Sequence, residues 1–170
     1  MKKYIFISLL IFFSSSVFSQ QDYKVPTDYK LESAEDYQAL EPQILETVDW
    51  LLSTSLGKDA HKRQNANRFL IEWLTGTPNV SVEMRTEIVN FFEKNSELMI
   101  PFMAGWVKYS LENNYSKDAL SGNKAGIEAV VSFYNKNRNY LQKDKNVEKY
   151  QKLIEKGNLE EYLNKILNKK

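Results

Sequence analysis

Residues 98–107 read Leu98-Met99-Ile100-Pro101-Phe102-Met103-Ala104-Gly105-Trp106-Val107, ten positions in a row without a polar side chain. Lys108 is the first charge after them. The run is too short to cross a bilayer, which takes roughly 20 apolar residues. Pro101 suits the first turn of a helix expected over residues 97–113. A helix that is apolar on every side must be enclosed by other elements. This stretch therefore predicts a central post with the rest of the chain wrapped around it, and Gly105 leaves room for one neighbour to come close.

Helix signals continue on both sides of the post. Upstream, Ser33 with Asp36 three residues later forms a capping box. Pro42 then opens a helix with the stripe Ile44, Leu45, Val48, Leu51 and Leu52, with Trp50 beside it and Gly57 at its end. A further helix over residues 59–75 carries Ala66, Phe69, Leu70, Trp73 and Leu74, and Gly76-Thr77-Pro78 stops it. Ser81 is expected to cap a helix that buries Ile88, Val89 and Phe92, with Asn95-Ser96 as the joint into the post. Downstream, residues 116–123 read as a polar joint. A helix over residues 124–140 runs through Ile127, Val130, Val131 and Tyr134. Asp144 caps another over residues 145–156, and Gly157 closes it. Asn158 with Glu161 opens a last helix through Leu159, Tyr162, Leu163 and Ile166. No segment alternates apolar and polar residues long enough for a sheet. The expected fold is all-α, a compact irregular bundle of about six to seven helices. A short α-solenoid of helix hairpins is the alternative, but the echo of Val48-Asp49-Trp50-Leu51 in Ile71-Glu72-Trp73-Leu74 has a period of 23, too short for a helix pair.

Composition narrows the chemistry. The 170 residues include no cysteine and a single histidine, His61. Disulfides, thiolate metal sites, iron–sulfur clusters and thiol nucleophiles are excluded, and so is a multi-histidine metal site. Lys2 and Lys3 precede an apolar run over residues 4–13, three serines and Val17-Phe18-Ser19. That is the layout of a secretory signal peptide cut between Ser19 and Gln20. The expected organisation is a leader over residues 1–19, an extended arm over residues 20–32 and one helical domain over residues 33–170. Export places the mature chain in the periplasm or outside the cell, with no membrane-spanning segment. The mature chain would carry 21 basic and 22 acidic residues, which argues against a nucleic-acid binder. Charge is nonetheless sorted along it: residues 20–50 sum to −6, residues 51–135 to 0 and residues 136–170 to +5.

The arm repeats Asp22-Tyr23-Lys24 as Asp28-Tyr29-Lys30, with Pro26 between. It is expected to lie extended with its tyrosines on the helical body. Asp49 and Glu72, each beside a tryptophan, are the only carboxylates whose setting suggests acid–base work of the kind glycosidases use. Neighbouring helical residues point about 100° apart, so the indoles need not cover the acids. His61 lies among Lys58, Asp59, Lys62 and Arg63, in a setting that suits water better than a metal. No phosphate loop, nucleophile elbow or cofactor-binding motif is present. The best-organised surface feature is Lys145, Lys149, Lys152 and Lys156, at i, i+4, i+7 and i+11 on one helix face, opposite Val147, Tyr150 and Ile154. These four are the candidate anion- or partner-binding residues, facing an acidic envelope partner or an anionic surface.

The order Glu35-Asp36-Tyr37, Val48-Asp49-Trp50-Leu51, Phe69-Leu70, Trp73-Leu74-Thr75-Gly76-Thr77-Pro78, Met103-Ala104 and Lys108-Tyr109-Ser110-Leu111-Glu112-Asn113, followed by Lys/Glu-rich helices, resembles an uncharacterised family of small secreted bacterial all-helical proteins. The resemblance spans nearly all the mature chain and implies a compartment but no activity. The functional expectation is a non-enzymatic binding module of the cell envelope. The alternatives are a carboxylate-dependent hydrolase of envelope glycans and a stress-related periplasmic holdase. N-terminal sequencing of the exported protein is expected to start at Gln20, and a secreted chain that retains Met1 would refute cleavage there.

Overall fold

The computed structural model describes residues 23–169. The expected leader over residues 1–19 and the start of the arm lie outside them. Among the described residues there are seven α-helices, one 3-10 turn and no strand. The helices are α1 (Ala34–Ala39), α2 (Glu41–Ser53), α3 (Ala60–Gly76), α4 (Met99–Glu112), α5 (Ala119–Lys136), α6 (Lys145–Glu155) and α7 (Leu159–Leu167), and the 3-10 turn is Ser96–Leu98.

The apolar stretch is the post, and two separate cores explain why it is apolar all round. Phe102 and Trp106 of α4 face a core shared with Ile127, Val130 and Phe133 of α5, Val147 and Tyr150 of α6, and Leu159 and Leu163 of α7. Ala104 and Val107 face the other way, into a core shared with Ile44, Val48 and Leu51 of α2 and with Phe69, Leu70 and Trp73 of α3. At 100° per residue, positions 102 and 106 share one side of the helix and positions 104 and 107 another.

The α4–α5 contact is made backbone to backbone. A Cβ placed on Gly105 would stand 2.6 Å from the carbonyl oxygen of Ala125 and 2.6 Å from Cβ of Ala129. The seam is reciprocal: the ring of Trp106 lies against Gly122 and that of Phe102 against Gly126. Each helix offers small residues where the other offers large ones, which brings the axes close.

Several boundaries differ from the sequence reading. Residues 81–95 form no α-helix but a chain of turns, with the N–H groups of both Ile88 and Val89 bonded to the Arg85 carbonyl. Phe91, rather than Phe92, is fully buried there beside Ile88 and Val89. Tertiary position overrides the local helical preference here, with Ile88, Val89 and Phe91 all delivered to the core from turns. The segment is pinned by Asn95, whose buried amide donates to the Gln142 carbonyl at 3.1 Å and accepts from the Gln142 N–H at 2.7 Å. Helix α5 begins five residues earlier than expected, at Ala119, because Asp118 accepts from the Ser121 N–H at 2.9 Å and caps it. It ends at Lys136, before Tyr140, where Asn137 turns inward and accepts from the Leu56 N–H at 2.8 Å. Helix α2 ends at Ser53, ahead of Gly57, which instead lies under the Tyr140 ring.

Arg63 is buried, although its charged neighbours suggested a solvated turn. Its guanidinium donates to the carbonyls of Leu51 at 3.2 Å and Thr54 at 2.5 Å, and lies over the rings of Trp50 and Phe133. It thus neutralises the negative C-terminal end of α2. Residues 23–32 lie extended, with Tyr23, Val25, Tyr29 and Leu31 packed on the α2–α3 core. Tyr23 shares a hydrogen bond with Thr47 at 2.8 Å and Tyr29 donates to Glu72 at 2.5 Å. Among the described residues, no backbone-to-backbone hydrogen bond joins residues 23–32 to the helices.

Because a methyl at Gly105 meets backbone on α5, Gly105→Ala is expected to cost about 1–3 kcal/mol through forced separation of α4 and α5. A lowered urea midpoint with unchanged far-ultraviolet circular dichroism would confirm it. An unchanged midpoint would show that the seam yields.

Candidate functional site

Helix α6 carries the four lysines, and its start is fixed from beneath. Asp144 is buried and accepts from the N–H groups of Asn146 at 2.8 Å and Val147 at 3.4 Å, while its own N–H donates to the Tyr134 hydroxyl at 2.9 Å. On the inner face Tyr150 donates to the Ile88 carbonyl at 2.8 Å, and burial pushes its phenol pKa up. Arg138, just past the end of α5, holds Gln151 on one flank, and Asn146 donates to the Asn90 carbonyl on the other. The rotation of α6 about its axis is therefore set by four contacts.

That rotation turns Lys145, Lys149, Lys152 and Lys156 into solvent, and all four are exposed. At 100° per residue their Cα positions fall within an arc of about 60°, spread over roughly 16 Å of helix. With Glu148 and Leu153 they line a furrow of about 430 Å³. Lys149 is steadied by α7, donating to the Tyr162 hydroxyl at 2.6 Å with its ammonium 4.1 Å from that ring's centre. Glu148 accepts a long ion pair from Lys143 at 3.8 Å, and Glu155 accepts from Gln151 instead of from a lysine. Among the described residues, no ion pair reaches Lys145, Lys152 or Lys156.

Local preference opposes this layout. Lys145 is the first residue of α6, at the positive end of the helix dipole, where a cation is the wrong sign. The pairs 145/149, 149/152 and 152/156 place like charges one turn apart, each unfavourable by a few tenths of a kcal/mol. Glu148 offsets part of this for Lys152, four residues on. An anion brought to the face relieves all three repulsions at once, which is the chemistry the arrangement offers.

The other sequence candidates are apart from this face. Asp49 accepts from the Lys108 ammonium at 2.5 Å, and Glu112 lies 3.7 Å from the same nitrogen. The Asp49 hydrogen bond, the largest influence, holds the Lys108 pKa above its ordinary value. Glu72 accepts from Tyr29, whose phenol is pushed up to about 12, first by burial and then by that carboxylate. Glu72 lines a depression of about 270 Å³ with Val25, Pro26, Thr27, Asn65 and Arg68, and Asp49 does not. The two acids are therefore each engaged elsewhere and share no cleft. Trp73 is buried and donates to the Tyr37 carbonyl at 2.9 Å. Trp50 is half-buried, 5.3 Å from Tyr23 and beneath Lys62 and Arg63. His61 is exposed, with Asn65 3.4 Å from its Nδ1, and among the described residues no three His, Cys, Asp or Glu side chains gather as a metal site. Sequence spacing found the four lysines but missed Tyr162, which reaches Lys149 only because α7 folds back on α6.

The fold is an all-α bundle whose described helices include none long and apolar enough to cross a membrane. No protein-family model, curated protein or solved structure matches the chain. If Lys145 sits against its helix dipole, Lys145→Glu is expected to stabilise the fold by about 0.5 kcal/mol, raising the melting temperature by about 1–2 °C. A lower melting temperature would contradict that electrostatic account.

Proposed function

We propose that this chain is an exported, non-enzymatic binding module of the cell envelope that presents the outer face of α6 to an anionic partner. The leader-like residues 1–19 support export, and the resemblance to small secreted helical proteins agrees with it. The observation that carries the binding reading is the alignment of four exposed lysines on one helix face with, among the described residues, no carboxylate paired to any of them. Lys108, Lys124, Lys143 and Lys165 each reach a carboxylate, and Lys136 donates to the Ser53 carbonyl. Among the described residues none of the four aligned lysines reaches a carboxylate, although the chain has nearly as many acids as bases. A hydrolase reading gains no comparable support, since Asp49 and Glu72 are bound to different partners. A holdase reading would call for a broad apolar face, whereas the exposed large apolar side chains among the described residues, Ile71, Met84, Met99 and Tyr140, come from four separate segments.

The test is a titration of the mature protein with poly-L-glutamate, followed by amide chemical shifts. Shifts confined to α6 and the facing residues of α7 are expected, weakening as salt rises and disappearing in the Lys149→Gln/Lys152→Gln/Lys156→Gln variant. Shifts centred elsewhere, or none at low salt, would overturn the proposal.

A further inference from the structure

We infer that the anionic partner of α6 is a lipid surface, a bilayer bearing anionic phosphate headgroups that the protein touches along this helix without inserting. The inference rests on the binding reading above and narrows it. Three observations select a plane over a protein or a single small anion.

The space between the lysine side chains is bounded by α6 and its C-cap residue alone: Lys145, Glu148, Lys149, Lys152, Leu153 and Lys156 follow one ridge, with no wall from a neighbouring element. A site that selects one small anion converges donors from several directions, usually including the fork of an arginine or backbone N–H groups. Here the donors are point charges on flexible stems along a ridge. A plane laid along that ridge meets all four, and it needs no particular register.

The face also has no apolar anchor. Stable protein interfaces draw most of their affinity from a few large buried side chains, aromatic ones above all. None of the exposed large apolar residues lies on α6 or α7. Leu153 is half-buried and packs inward on the core. The same lack of Trp and Phe on the face rules out burial in the acyl region and leaves contact at the headgroups.

The third observation is the sorting of charge. Helices α1 and α2, from the segment of net charge −6 over residues 20–50, belong with α3 to one side of α4. Helices α6 and α7, from the segment of +5 over residues 136–170, pack with α5 on the other. A negative plane attracts the second end and repels the first, which orients the molecule with α6 inward. Clusters of four to eight lysines or arginines on an amphipathic helix are typical of such contacts.

Each lysine near an anionic bilayer strengthens binding about fivefold. The experiment sediments the mature protein with phosphatidylcholine vesicles, with and without phosphatidylglycerol, at about 0.01 M and about 0.15 M salt. Binding to the phosphatidylglycerol vesicles alone is expected, weaker at the higher salt. Lys152→Gln/Lys156→Gln should reduce it about 25-fold, whereas Lys152→Arg/Lys156→Arg should keep it within about twofold. All four substitutions are on exposed side chains, and circular dichroism confirms that each variant is folded. Failure to bind anionic vesicles while poly-L-glutamate still shifts α6 would overturn the lipid inference and leave the binding module standing. Loss of both would remove both. Vesicle binding that ignores the glutamine variant would place the contact off α6 and equally overturn the inference.

Discussion

The near-contact of two helix backbones at Gly105 governs the geometry of the whole molecule. With no side chain between them, α4 and α5 lie close enough for Phe102 and Trp106 to rest directly on Gly126 and Gly122. This pair then acts as a slab with two faces. Helices α2 and α3 assemble on the α4 side, and α6 and α7 on the α5 side. Widening the slab would unseat both cores, because interiors packed at crystal-like density have no slack to absorb the change. The distance between the acidic and basic ends of the chain is likewise set by this slab.

The all-α class and the post were legible because they depend on local signals. Ten apolar residues ending at Lys108, a capping box at Ser33 and the stripe of Ile44, Val48 and Leu51 each follow from helical geometry alone. The lysine face was legible for the same reason. What failed was decided by distant contacts. Residues 81–95 carry a helix-like pattern, but they must supply Ile88, Val89 and Phe91 to a core built by α4, α5 and α6. Residues 116–123 read as a polar joint, yet Gly122 within them is the surface against which Trp106 packs, as Gly126 is for Phe102. Arg63 could not be told from the exposed Lys58 nearby, because its burial depends on where α2 ends.

Polar side chains fasten the joints that cysteines could have fastened. Asn95 bridges to Gln142 across 47 residues, Asn137 to Leu56 across 81, and Arg63 ties α3 to the end of α2. Each satisfies backbone groups that would otherwise be buried without partners, at a cost of about 1–3 kcal/mol apiece. Asp144 does the same at the start of α6, so the presentation of the lysine face depends on a carboxylate that never meets solvent. Unlike disulfides, these fastenings do not depend on redox state.

The docking of residues 23–32 has a different character from everything else in the fold. Side-chain insertions hold this strap, and its peptide groups contribute no ladder to the helices. Lifting it would break the Tyr23–Thr47 and Tyr29–Glu72 bonds and withdraw Val25 and Leu31 from the core while every helical turn stayed intact. The strap thus offers a partial opening that wets Thr47 and Phe69, well short of global unfolding. Such an opening would wet the outer side chains of α2 and α3 without releasing their helical amides, whereas α4, enclosed on both sides, stays dry until the entire domain comes apart.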